Sequence, residues 1–264
     1  MTGATPAGKL AAQLSNAGLD WVVPDWPAPA NICAFVTTRA GGVSTGPYST
    51  MNLGRSRLDE SSALAVNRRR FEAFLPAKPV RLHQVHGIAV ATLGRSVIPE
   101  PIADAAVTCE TGVVCSILTA DCLPVVFADR AGTAVGIAHA GWRGLAAGVL
   151  EASIAAITKL GVVPDSLMAW LGPAIGPDAF EVSDDVYAAF CGADAAAAAC
   201  FAAHRPGKWH ADLYGLARQR LARGGVTRVH GGGLCTYTDS ARFFSYRREP
   251  ESGRMATVVW LAYG

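Results

Sequence analysis

The sequence predicts a single mixed α/β domain, of α+β character, rather than a Rossmann fold or a barrel. Short apolar runs of strand type cluster in the first half, and helical periodicities alternate with strands only in the second. No internal repeat and no linker-like stretch divides the 264 residues. Hydrophobic residues make up 51% of the chain, enough to bury a sizeable core.

Residues 1–30 read as a loose lead-in, because Pro24, Pro27 and Pro29 interrupt regular structure. A strand is expected over 32–38, followed by the turn-prone Arg39-Ala40-Gly41-Gly42. Further strands are expected at 80–82, 88–93, 113–118, 123–128 and 133–138. Residues 144–160 form the clearest helix: Leu145, Val149, Ile154, Ile157 and Leu160 fall near one face, and Gly161 supplies a stop. A strand over 167–171 enters the turn Gly172-Pro173-Ala174-Ile175-Gly176-Pro177. Helices follow at 184–190 and 212–223, and a strand at 257–261 closes the pattern. The triple Arg68-Arg69-Arg70 suits an exposed helix face, and the alanine-rich 195–203 suits a helix too short to cross a bilayer.

A net charge of +2 gives no general argument for nucleic acid or an anionic membrane as partner, and protein partners are not indicated. Without a secretory signal pattern or a membrane-length apolar run, a cytoplasmic location is the default expectation. The seven cysteines, Cys33, Cys109, Cys115, Cys122, Cys191, Cys200 and Cys235, include no CxxC pair. That argues against a disulfide framework and for small buried hydrophobes. Cys122 stands apart, following Asp121 at the edge of an apolar run.

Three runs carry the chemistry: Gln84-Val85-His86-Gly87, Ala120-Asp121-Cys122-Leu123-Pro124 and His139-Ala140-Gly141-Trp142-Arg143-Gly144. If His86, Cys122 and His139 converge, they form a His2Cys set with one position open, as in catalytic zinc sites. His83 rivals His86, since in an extended segment the two point to opposite faces, and residue chemistry alone leaves that choice open. His139 is expected at a strand-to-helix junction, where the helix N-terminus and the donor fork of Arg143 suit an anion such as phosphate. A turn with an ordinary satisfied histidine accounts for the same residues. Cys122 reads as a metal thiolate, a nucleophile or a buried thiol. Asp121 beside it suits orientation of a histidine or carriage of a proton. Arg39, on its glycine-rich loop, suits an anionic oxygen or merely marks a hairpin. In Phe243-Phe244-Ser245-Tyr246-Arg247-Arg248, Phe244 and Tyr246 are candidates to stack a planar base and Arg247 to hold its polar edge; an edge strand is the plain alternative.

At these residues the chain resembles the YfiH-like family, variously described as polyphenol oxidases, purine nucleoside phosphorylases and peptidoglycan editing factors. The resemblance runs from about Asp25 to Leu261, leaving 1–24 as a lead-in to a domain over 25–264. It also takes in Thr37-Thr38-Arg39-Ala40-Gly41-Gly42-Val43-Ser44, Asn52-Leu53-Gly54 and Ala103-Asp104. It implies a single domain of mixed sheets layered between helices. His86, Cys122 and His139 are the implied metal ligands, with zinc the usual occupant. The implied activities are phosphorolysis of adenosine, guanosine and methylthioadenosine, and deamination of adenosine. Ala174 and Asp178 depart from the family pattern, where many relatives carry cysteines.

The leading expectation is a zinc-dependent purine nucleoside enzyme, with nucleoside and phosphate as partners. Asp121 would transfer the proton in deamination, and Arg39 and Arg143 would hold phosphate. A Cys–His hydrolase acting on an amide, such as a cell-wall precursor, is the main alternative. A copper-dependent phenol oxidase ranks lower: two histidines and a cysteine can bind one copper, but six histidines with no His-x-His pair cannot furnish a laccase trinuclear cluster. A zinc-stabilised interaction module would leave Arg39, Arg143 and Asp121 unexplained.

Overall fold

The computed structural model describes residues 5–55, 58–96 and 100–263. In chain order it contains α1 (Pro6–Asn16), β1 (Ile32–Val36), α2 (Ser61–Glu72), β2 (Val90–Thr92), β3 (Ala105–Thr108) and β4 (Cys115–Thr119). Next come β5 (Leu123–Asp129), β6 (Val135–Ala140), α3 (Trp142–Ala147), α4 (Val149–Thr158), β7 (Leu167–Leu171) and β8 (Glu181–Ser183). The remaining elements are α5 (Asp184–Cys191), β9 (Phe201–Arg205), β10 (Lys208–Ala211), α6 (Leu213–Arg223), β11 (Arg228–Gly231) and β12 (Met255–Leu261).

Strands buried on both faces organise the layers. All of β5 is buried, and its side chains alternate between two cores: Val125 and Phe127 face one, Val126 and Ala128 the other. β5 lies in a mixed six-stranded sheet of order β11-β7-β5-β6-β3-β2. One face of that sheet packs on α4 and α6 through Leu150, Ile154, Ile157, Leu216 and Leu221. Its other face meets an antiparallel sheet of order β1-β12-β4. In β12 the alternation repeats: Met255 and Val259 face the six-stranded sheet, whereas Val258 and Trp260 face α1 and α2. The mixed α/β class and the layering of sheets between helices are therefore as expected from the sequence.

Several local expectations differ from the structure. The lead-in is not loose throughout, because α1 buries Leu10 and Leu14 against the core that contains Phe35. Residues 80–82 form no strand; Val80 makes one isolated bridge to Cys115 and the chain then runs irregularly past β4. The helix expected over 144–160 is two helices, broken at Gly148, whose φ of 105° is left-handed. The 195–203 stretch is a 3-10 turn followed by β9, which joins the small sheet β8-β10-β9. Arg69 and Arg70 do lie on the exposed face of α2. Among the described residues no helix is long and apolar enough to cross a membrane.

Candidate metal centre and its cavity

His139 belongs to β6 rather than to the junction after it. By parity with Val135 and Ile137 its side chain enters the layer between the two sheets, and it is 3% exposed. Cys122 sits on the short connection between β4 and β5 and reaches the same layer. His86 closes the set from the loop before β2, where its φ of 59° is left-handed. Asp121 has a φ of 90°; these two are the non-glycine residues with left-handed backbone among the described residues, and both lie at this site.

One ligand atom from each of His86, Cys122 and His139 lies within 4.8 Å of the others. Cys122 Sγ is 3.8 Å from His86 Nε2, and the two imidazole centroids are 4.7 Å apart. A Cβ built on Gly141 would stand 2.9 Å from the His86 ring and 3.0 Å from Cys122 Sγ, so the absence of a side chain there keeps the cradle open. Two imidazoles and a thiol around an open position fit a zinc-class ion. Among the described residues this is the one such group of His, Cys, Asp or Glu donors. His83 lines the neighbouring cavity but stands outside the trio.

The residue that organises the trio is Asp104, fully buried just before β3. Its Oδ1 accepts from His86 N at 2.9 Å and from His139 Nδ1 at 2.8 Å. Its Oδ2 accepts from Gly87 N at 2.7 Å and Val85 N at 3.1 Å. A carboxylate only accepts, so Nδ1 of His139 carries the proton and Nε2 is left for the open position. Burial works against the charge of Asp104, but the bonds from His139, Gly87 and Val85 outweigh it and hold the carboxyl below the usual carboxylate range. Residue chemistry marks Asp104 only as an acid immediately before an apolar strand, and the resemblance takes in Ala103-Asp104 without giving Asp104 a role.

Orientation of a histidine, expected of Asp121, thus falls to Asp104. Asp121 Oδ1 accepts from Thr236 Oγ1 at 2.6 Å, and Oδ2 from Ser245 Oγ at 3.0 Å and Arg247 N at 2.7 Å. Its carboxylate pins the segment that carries Tyr246 and Arg247. Arg39 does not reach the trio: Nε donates to Ser49 O and Nη1 to Ser240 O, with the guanidinium over the Phe244 ring. Phe244 is fully buried between the sheets, unavailable to stack a substrate.

The trio opens into a cavity of about 670 Å³. Arg143, Tyr246, Arg247, Arg254 and Phe180 line it near the trio, and Asp121 contributes to its wall. Arg247 lies over the Phe180 ring and donates Nη1 to Glu181 O. Arg254, absent from the sequence-based candidates, lies over Tyr246. Arg143 stacks on Trp142 with its guanidinium 4.4 Å from the ring centroid. α3 is only six residues long, so the helix dipole expected to favour an anion there is small.

Burial opposes ionisation of Cys122, yet hydrogen bonds to His139 and His86 outweigh it and bring the thiol down to about 6. Burial likewise opposes charge on His139, but its bonds to Asp104 and Cys122 prevail and raise it to about 9. Metal-free protein at neutral pH is therefore expected to hold a thiolate beside an imidazolium. A depressed thiol keeps its charge above the shifted value and loses it as pH falls through about 6. Metal affinity should begin to fall below about 9, where a proton competes for His139 Nε2, and fall more steeply below about 6, where protons also compete for the sulfur. Ultraviolet thiolate absorbance of the metal-stripped protein, with Cys122→Ser as blank, checks this; a midpoint near 9 would refute the pairing.

Layered mixed sheets with a His2Cys cradle between them define a class: an α/β protein with a single-ion candidate metal centre at the base of a cavity. Residues 33–262 match the family described as multi-copper polyphenol oxidoreductase laccase, and the chain belongs to this family, which includes the YfiH proteins. Purine nucleoside phosphorylase PA4543 of Pseudomonas aeruginosa is 53% identical over 242 residues, covering 91% of this chain and 98% of the relative. Purine nucleoside phosphorylase YfiH of Escherichia coli is 50% identical over 242 residues, with the same coverage of 91% and 98%. The crystal structure of Neisseria meningitidis protein NMB0706 is similar at a TM-score of 0.87 and 47% identity, covering 92% of this chain and 100% of that one. Bacillus licheniformis YfiH follows the same fold at a TM-score of 0.83 and 27% identity, with coverage of 87% and 92%.

Proposed function

We propose that this protein is a purine nucleoside enzyme, and that phosphorolysis of adenosine, guanosine and methylthioadenosine is its principal reaction. The observation that carries the reading is a His2Cys cradle opening into a cavity whose wall presents Arg143, Arg247 and Arg254. Relatives named as purine nucleoside phosphorylases, up to 53% identical, support the substrate class.

His86, Cys122 and His139 would hold the metal, with zinc the proposed occupant. When bound, the ion supplies Lewis acidity, which polarises an oxygen facing it. Arg143 offers a fork of charged donors that orients phosphate toward the anomeric carbon. Positive charge developing on the sugar as the base departs is matched by that phosphate. Tyr246, 55% exposed, and Arg247 both line the cavity, and in this reading Tyr246 would lie against the base and Arg247 would bond its edge. Asp121 acts by fixing the segment of these two residues.

Deamination of adenosine is assigned as a secondary activity. Zinc deaminases rely on a separate carboxylate for proton transfer. Of the carboxylates at the cavity wall, Asp121 is engaged by three donors and Glu100 by Arg55, while Asp104 beneath the trio is engaged by four. That supports phosphorolysis as the faster reaction.

The test is adenine against inosine release for wild type and Arg143→Ala across a phosphate titration. Two charge-assisted hydrogen bonds are lost, each about 1.5–3 kcal/mol. Phosphorolysis should fall on the order of 10²-fold or more while metal content and inosine release persist. Equal loss of both products would mean that Arg143 positions the nucleoside instead. The Cys–His hydrolase has one observation in its favour, the 3.8 Å contact of Cys122 Sγ with His86 Nε2. It requires an amidase active without metal and killed by alkylation of Cys122.

A further inference from the structure

We propose that the end of this cavity remote from the metal trio is a phosphate-binding subsite built on Arg81. Val80 donates its N–H to Val114 O and pairs with Cys115, while Gln84 clasps Leu118 through bonds of 2.9 and 2.8 Å. The segment from Val80 to His86 therefore runs beside β4 in the same direction. Ser116, Ile117, Leu118 and Thr119 line the cavity along this path. Arg81 stands at its start and His86 at its end. Five residues at about 3.3 Å each set an upper limit of roughly 16 Å between their backbones. The cavity thus follows this segment, with the Arg81 side chain lining it near the segment's start and the metal cradle near its end.

Arg81 is half-buried, and among the described residues it has neither a hydrogen bond nor an ion pair. Arginine cannot shed its charge to escape that cost. Burial and then Arg68 push the Arg81 pKa down, Glu72 opposes them, Arg55 adds to the push and Glu100 counters it. Neither carboxylate ion-pairs with Arg81, and Glu100 pairs with Arg55 instead. Arg68 Nε is itself buried without a partner. A site with surplus positive charge, an open donor fork and a cavity beside it calls for an anion. Phosphate matches a bidentate guanidinium.

The proposal rests on the nucleoside reading only for which molecule brings the phosphate. Either the substrate carries it as a 5′-phosphoryl group, or inorganic phosphate occupies Arg81. The experiment is calorimetric binding of adenosine, adenosine 5′-monophosphate and inorganic phosphate to metal-loaded protein, with Arg81→Gln and Arg81→Lys beside wild type. Phosphate is titrated in the Arg143→Ala background, so that the attacking anion's site does not contribute.

If the substrate carries the phosphate, the monophosphate binds wild type about tenfold or more tighter than adenosine, and Arg81→Gln removes that advantage. If inorganic phosphate is the ligand, its binding drops by a similar factor in Arg81→Gln, and the monophosphate has no advantage. Arg81→Lys should retain part of either effect. Unchanged affinity for both anions in Arg81→Gln overturns the subsite; if that variant does not fold, unchanged affinity in Arg81→Lys does so. Failure of adenosine and its monophosphate to bind at all would sink the nucleoside reading. The inorganic phosphate titration would still decide the role of Arg81.

Discussion

Cys122→Ala is expected to deprive the protein of its metal while leaving the fold largely in place. The thiol contributes to none of the hydrophobic cores, and it sits on the connection between β4 and β5. It is the one anionic donor in the trio. Structural zinc sites are worth roughly 10–16 kcal/mol at neutral pH. Losing one of three ligands then costs on the order of 3–5 kcal/mol, or about 10²–10⁴-fold in affinity. Elemental analysis of protein purified without added metal gives occupancy, and thermal melting reports the fold. Normal zinc content in a folded Cys122→Ala protein would remove Cys122 from the ligand set.

Asp104→Asn should be damaging in a different way. The amide keeps the carboxylate's shape, but its NH2 must now confront N–H donors from Val85 and Gly87, or else from His86 and His139. Two donors would then face the amide without an acceptor at a buried or part-buried position, costing about 1–3 kcal/mol each in stability. Loss of the partner that orients His139 should lower metal affinity about 10–100-fold. Chelator competition and the melting temperature together read the result. Native values of both would show that Asp104 is only a bystander. A fall in affinity with an unchanged melting temperature would place its role in the ligands alone.

How much of this was legible in the sequence depended on how local the physics was. Residues 167–171 match β7 because a strand buried on both faces is an uninterrupted apolar run. The break at Gly148 was hidden, since the apolar periodicity of Leu145, Val149 and Ile154 passes through it undisturbed. β8, β9 and β10 are short, with β9 largely exposed and β8 and β10 mostly half-buried, so no alternating burial pattern marks them. The candidate ligands stood out as two histidines and a cysteine in runs ill suited to simple core packing. The choice of His86 over His83 came from resemblance rather than from residue chemistry. Asp104 gained its importance from partners 17 to 35 residues away, which no local pattern encodes. Arg39 and Phe244 show the converse error: a suggestive loop and an aromatic run whose chemistry is spent inside the protein.

The four bonds accepted by Asp104 bear on how the ion is chosen. They fix His86 and His139 from separate segments by protein contacts alone, so the cradle exists before any ion arrives. A protein that folds around its metal can reject a poor fit by failing to fold. A cradle held ready in this way would forgo that check, and an open position would admit ions of differing geometry. Intrinsic affinity ranks copper above zinc, so selection between them would fall to the availability of each ion. Which ion is found in the purified protein should accordingly follow the supply in the expressing cell, and a single fold would carry descriptions that disagree about its metal.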